Sequence, residues 1–74
     1  MVVELKLFAT FRKGRFKQKY LELPEGTLLR EIVEPLKLPD KPPKILMVNG
    51  IAVNNDCKLK DKDVIAIFPM IAGG

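Results

Sequence analysis

Seventy-four residues with a formal net charge of +4 are enough for one domain, because a second core would have too little apolar surface to bury. One cysteine and no histidine exclude an intramolecular disulfide and the common structural zinc arrangements, so folding has to come from packing alone. Apolar residues make up 47% of the chain, too many for a disordered protein, and the moderate positive charge suits solubility as well as an acidic partner.

The first segment, Val2 to Phe8, alternates in part, with Val3, Leu5 and Leu7 on one face and Glu4 and Lys6 on the other, which predicts a strand. Arg12-Lys13-Gly14-Arg15 reads as a turn, and Phe16 to Leu23 as a second strand hairpin-paired with the first. Pro24-Glu25-Gly26 ends that strand. Thr27 is the expected N-cap of an amphipathic helix whose stripe is Leu28, Leu29, Ile32, Val33 and Leu36. Pro35 removes a backbone donor and crowds the preceding turn, so the helix should end or kink near Glu34. Pro39 to Pro43 is expected, from its three prolines, to be a stiff connection back to the sheet.

Ile45 to Val48 predicts a short buried-type strand, and Asn49-Gly50 is the strongest two-residue hairpin signal in the chain. Ile51 to Val53 returns from it. Leu59 should anchor the following polar stretch, and Lys60 to Asp63 should turn into the last strand, Val64 to Phe68, closed by Pro69. That strand is apolar on both faces, as expected of a central strand covered on each side or paired in parallel. A hairpin, one helix and a return to the sheet predict an α+β fold of the β-grasp, ubiquitin-like type. Four to five strands should form a mixed sheet with one main helix across one face. The expected division is a domain over residues 1–68 and a flexible C-terminal tail over residues 69–74. No apolar run is long enough to cross a bilayer and no signal-peptide pattern opens the chain. With the lone thiol, this predicts a cytoplasmic protein.

The ending Pro69-Met70-Ile71-Ala72-Gly73-Gly74 is the most informative stretch. Two terminal glycines pass where a Cβ would clash, while Pro69 restricts the base. Six extended residues reach roughly 20 Å, enough to thread a narrow channel and deliver the terminal carboxylate to a buried site. No nucleophile–base pair, metal cluster or phosphate loop accompanies it, so independent catalysis is not expected.

On these residues the chain resembles the MoaD/ThiS family of sulfur carriers over essentially its whole length. The resemblance runs through Val3 to Ala9, Leu23 to Thr27, Val48-Asn49-Gly50, Leu59 to Val64, and the closing Ile67 to Gly74. The phenylalanine–proline ending leans toward the MoaD-like members, small subunits of molybdopterin synthase. Two positions depart from the family pattern: Lys62 stands where glycine is usual, so that turn should carry mild strain, and Met70 stands where a second proline is common.

What the resemblance implies is a carrier with no cofactor of its own. A ubiquitin-activating-type adenylyltransferase (MoeB/ThiF-like) would use ATP and magnesium to adenylate Gly74. A persulfide donor would then leave a thiocarboxylate there, with Gly73, Ala72, Ile71, Met70 and Pro69 threading the partner's channel. A large synthase subunit (MoaE-like) would receive the tail in molybdenum or tungsten cofactor synthesis. Thiamine synthesis and tRNA thiolation are the alternative acceptors, and a ubiquitin-like modifier joined to lysines through Gly74 is the alternative class.

Phe8, Phe68 and Arg12 are the candidate docking residues; core packing competes with docking for Phe8, Phe11 and Phe68. The basic run Arg12, Lys13, Arg15, Lys17 and Lys19 could dock an acidic partner or RNA. A solvated strand edge is the preferred reading, so neither nucleic acid nor membrane is an expected partner. Cys57 reads as an ordinary partly buried thiol.

Overall fold

The computed structural model describes residues 1–39 and 43–70. Its strands are β1 (Val2–Leu7), β2 (Gln18–Glu22), β3 (Lys44–Val48), β4 (Ile51–Ala52) and β5 (Val64–Pro69), with one short helix, α1 (Arg30–Val33). They form a single five-stranded sheet in the order β2-β1-β5-β3-β4. β5 is central. It runs parallel to β1 and antiparallel to β3, and the two outer pairs are antiparallel. With α1 packed over one face this is the β-grasp, ubiquitin-like fold.

The core is built from alternate positions of the strands. Val3, Leu5 and Leu7 of β1, Leu46 and Val48 of β3, and Ile65 and Ile67 of β5 face Leu29, Ile32 and Val33 across the helix side. Leu59 is 2% exposed, in the anchoring role expected of it. β5 is not covered on both faces: Val64, Ala66 and Phe68 remain half-exposed, so its all-apolar composition reflects pairing at the sheet centre plus a partly bare outer surface.

Three boundaries differ from the sequence reading. The β1–β2 connection is longer than a tight turn, because Ala9 adopts a left-handed φ of 53° and opens a 3-10 segment, Ala9–Arg12. That detour inserts Phe11 into the core at 1% exposure, and Phe16 and Lys17 fall outside the second strand in consequence.

The helix is shorter than its apolar stripe suggests. Thr27 does not cap it: its hydroxyl donates to Pro24 O at 2.8 Å, and its carbonyl accepts from Leu59 N–H at 2.9 Å. The first helical donors are satisfied from elsewhere, Leu29 N–H by Cys57 O (2.8 Å), Arg30 N–H by Asn55 O (2.9 Å) and Leu28 N–H by the Glu31 carboxylate (2.7 Å). The kink falls where expected, with Pro35 inside a 3-10 turn, Glu34–Leu36, that ends on Lys37 at φ 52°.

The last strand does not stop at Phe68. Pro69 pairs with Lys44, and Met70 N–H donates to Pro43 O at 2.8 Å. Proline is tolerated because Met70, and not Pro69, supplies the donor at this end of the strand. Asn49 and Gly50 have φ of 53° and 81°, the pair of positive values a type I′ turn requires. The expected strain at Lys62 is present, with φ at 72°. No helix among the described residues is long and apolar enough to cross a membrane.

Candidate functional site

Three of the residues singled out as docking candidates meet at the pole where β5 ends. Phe8 leaves β1 in extended conformation (φ −128°, ψ 155°), with its N–H donated to Ile67 O at 3.2 Å. Phe68 lies alongside: the ring centroids are 4.9 Å apart and the planes are tilted by 58°. Such a tilted pair contributes about 0.5–1.5 kcal/mol beyond its buried area.

Arg12 follows from the 3-10 detour, which returns the chain over the end of β1. Its Nε donates to Leu7 O at 2.6 Å, and its guanidinium carbon stands 5.1 Å from the centre of the Phe8 ring. The contact over the ring fixes the cation at the rim of the aromatic pair.

Strand register extends this cluster across the sheet. Ile45 is opposite Phe68 and Met47 is opposite Ala66, so these four side chains share the face turned away from α1. All four are half-exposed. The result is a partly bare apolar strip from Met47 to Phe8, edged by Arg12. Ile45, Met47 and Ala66 were not among the sequence candidates. The signal that could have found them is the second apolar set within β5, which a one-sided strand would not need.

The structure also separates the aromatics that sequence left together: Phe11 is core, and Phe8 and Phe68 are surface. The basic run is dispersed. Arg12 serves Leu7 and Phe8, Arg15 donates to Leu36 O and Lys37 O at 3.4 and 3.3 Å, and Lys19 stands over Phe16 at 5.3 Å. Cys57 is half-buried against the core, with Sγ 3.9 Å from Lys58 O.

Of the predicted tail, Pro69 is buried in β5 and Met70 is 50% exposed with its amide bound to Pro43. Ile71, Ala72, Gly73 and Gly74 lie outside the described residues. Four residues, Ile71 to Gly74, follow Met70 in the sequence. No group of three carboxylate, thiol or imidazole side chains among the described residues could hold a metal ion.

The sequence model of the ThiS family matches residues 5–74. A Pyrococcus furiosus protein assigned as subunit 1 of a molybdopterin converting factor superposes with a TM-score of 0.78 at 31% identity, over 96% of this chain and 99% of that one. The crystal structure of SAMP1 from Haloferax volcanii matches with a TM-score of 0.77 at 20% identity, over the whole of both chains. A chain of the complex of subunits 1 and 2 of the molybdopterin-converting factor from Helicobacter pylori matches with a TM-score of 0.68 at 22% identity, again over the whole of both. No curated protein matches by sequence.

Proposed function

The chain belongs to the ThiS family, and on that premise we propose that it is a sulfur carrier whose working group is the carboxylate of Gly74. The observation that carries this reading is the arrangement at the end of β5. Pro69 and Met70 hold the chain in the sheet beside the Phe8–Phe68 pair, and Gly73-Gly74 follows within four residues.

A carboxylate is a poor electrophile. An activating enzyme of the adenylyltransferase kind, using its own ATP and magnesium, would let the Gly74 oxygen attack the α-phosphorus and expel pyrophosphate. The terminal sulfur of a persulfide would displace AMP, and attack of a second thiol on the inner sulfur of the resulting acyl disulfide would release the thiocarboxylate and leave the two thiols joined as a disulfide. The body of this protein contributes position. The apolar strip from Met47 to Phe8 seats the partner, Arg12 orients it, and the terminal glycines enter a channel too narrow for side chains.

The acceptor favoured by the 31%-identical Pyrococcus furiosus relative is a molybdopterin precursor, with a larger synthase subunit as the second partner. The Helicobacter pylori complex of subunits 1 and 2 offers a chain of the same fold in such a pairing. Intact-mass analysis of the protein from its own host tests the reading. An oxygen-to-sulfur increment at the C-terminus is expected. Peptides carrying Gly74 on the side-chain amine of lysines, without that increment, would assign it instead as a protein modifier.

A further inference from the structure

A second surface lies on the other side of the sheet, where β2 forms an edge and the helix stands beside it. β2 pairs with β1 alone among the described residues. The bonds at the two ends of this ladder join Met1 with Leu23 in both directions, and Leu7 N–H to Lys17 O. Odd-numbered residues of β2 therefore bond to β1. The N–H and C=O groups of Gln18, Tyr20 and Glu22 point outward, ready to accept another strand.

Beside this edge runs a cleft of about 210 Å³ between β2 and the helical segment. Its walls are Phe16, Leu21 and Leu23 from the hairpin, and Ile32, Pro35 and Leu36 opposite. Lys19 and Glu31 are the charged residues of an otherwise apolar lining. At the Phe16 end stands Lys19, 5.3 Å over the Phe16 ring, with Lys17 next to Phe16 in the chain, and Arg15 bridges from the hairpin to the carbonyls of Leu36 and Lys37. Neither Lys17 nor Lys19 has a carboxylate within ion-pairing distance among the described residues. Glu31 lines the cleft, with its carboxylate bound to Leu28 N–H, while Glu34 and Lys37 both line a different pocket beside Val33 and Leu38.

These features select the occupant. A second copy paired antiparallel about Gln18 would set Lys17 against Lys19, a repulsive pairing, and about Tyr20 would set both lysines against leucines, with no carboxylate to compensate them. A strand carrying carboxylates meets the opposite situation. We propose that the β2–α1 cleft docks an extended segment of a partner protein. Its aliphatic residues alternate into the cleft, its acidic residues lie at the Lys17 end, and its backbone pairs with the outer edge of β2. The lysines then have two consistent roles: they discourage indiscriminate edge pairing and they admit an acidic strand.

The test is a titration of the full-length, ¹⁵N-labelled protein with a synthetic peptide of four alternating valines and isoleucines followed by three aspartates. The same peptide in reversed order covers the opposite strand direction. Binding by at least one of them tighter than about 1 mM is expected, with the largest amide shifts at Gln18, Tyr20, Glu22 and the Ile32–Leu36 segment. Replacing the aspartates by lysines, or making Lys17→Glu with Lys19→Glu in a protein of unchanged melting temperature, should weaken binding at least about tenfold.

Absence of binding by both orders, equal binding of the lysine peptide, or shifts centred on Phe8 and Phe68 would overturn the proposal. So would binding that appears only after residues 71–74 are removed, since the chain's own terminus would then be the occupant. Deleting Gly73 and Gly74 alone should leave peptide binding unchanged, so this docking and the sulfur-carrier reading fail independently.

Discussion

The Lys62 position isolates a backbone term that can be measured cleanly. At φ 72° an L-residue brings its Cβ against the following carbonyl, at a cost of about 1–2 kcal/mol. Glycine escapes that cost and loses about 0.5–1 kcal/mol through the greater freedom of its unfolded chain. Lys62→Gly should therefore stabilise the fold by about 0.5–1 kcal/mol. The ladder contact at this residue is preserved, because Lys62 N–H donates to Val2 O at 2.7 Å and glycine keeps that donor.

Lys62→Ala is the matched control: it removes the same exposed charge and retains the strained Cβ. The difference between the two variants reports the backbone alone. With a urea m-value of about 1–2 kcal/mol/M for a chain of this size, glycine should unfold at a midpoint about 0.3–1 M above alanine with m unchanged. Thermal unfolding should shift in the same direction by about 2–8 °C. Far-UV circular dichroism follows both transitions. A glycine variant no more stable than the alanine variant would refute the assignment of strain to this turn.

Asp63 is buried and accepts from Asn49 Nδ2 at 2.9 Å and from Lys60 N–H at 2.8 Å, tying the hairpin turn to the start of β5. Asp63→Ala should cost about 2 kcal/mol in urea unfolding, and combining it with Asn49→Gly should cost less than the two single changes summed. Phe68→Ala should weaken association with the activating enzyme or the synthase subunit by about thirtyfold or more while the protein stays folded, as titration calorimetry would record. Removing Gly73 and Gly74 should leave the urea midpoint unchanged, because every contact described for residues 1–39 and 43–70 remains, and should abolish adenylation. Persistent pyrophosphate release with the cognate activating enzyme would exclude Gly74 as the acceptor.

The parts of this protein legible in its sequence are those set by neighbours along the chain. Alternation of Val3, Leu5 and Leu7 is a property of six consecutive residues, and it specifies which side of β1 is buried. Asn49-Gly50 carries its turn type in its own backbone preferences, whereas the strain at Lys62 was expected only through the family resemblance, in which glycine is usual at that position. Pro35 broke the helix where it stood because its missing donor acts locally.

Tertiary structure decided what depends on residues far apart in sequence. Thr27 has an N-cap's side chain, yet its carbonyl is claimed by Leu59 and its hydroxyl by Pro24, so the helix begins later and borrows its acceptors from Asn55 and Cys57. Phe8, Phe11 and Phe68 are chemically identical. Only the left-handed turn at Ala9 sends Phe11 into the core and leaves Phe8 against Phe68, sixty residues away, on the bare side of the sheet. A side chain's chemistry is local, but its exposure is set by which distant strand arrives beside it, and that arrival buries one phenylalanine and leaves another half-exposed.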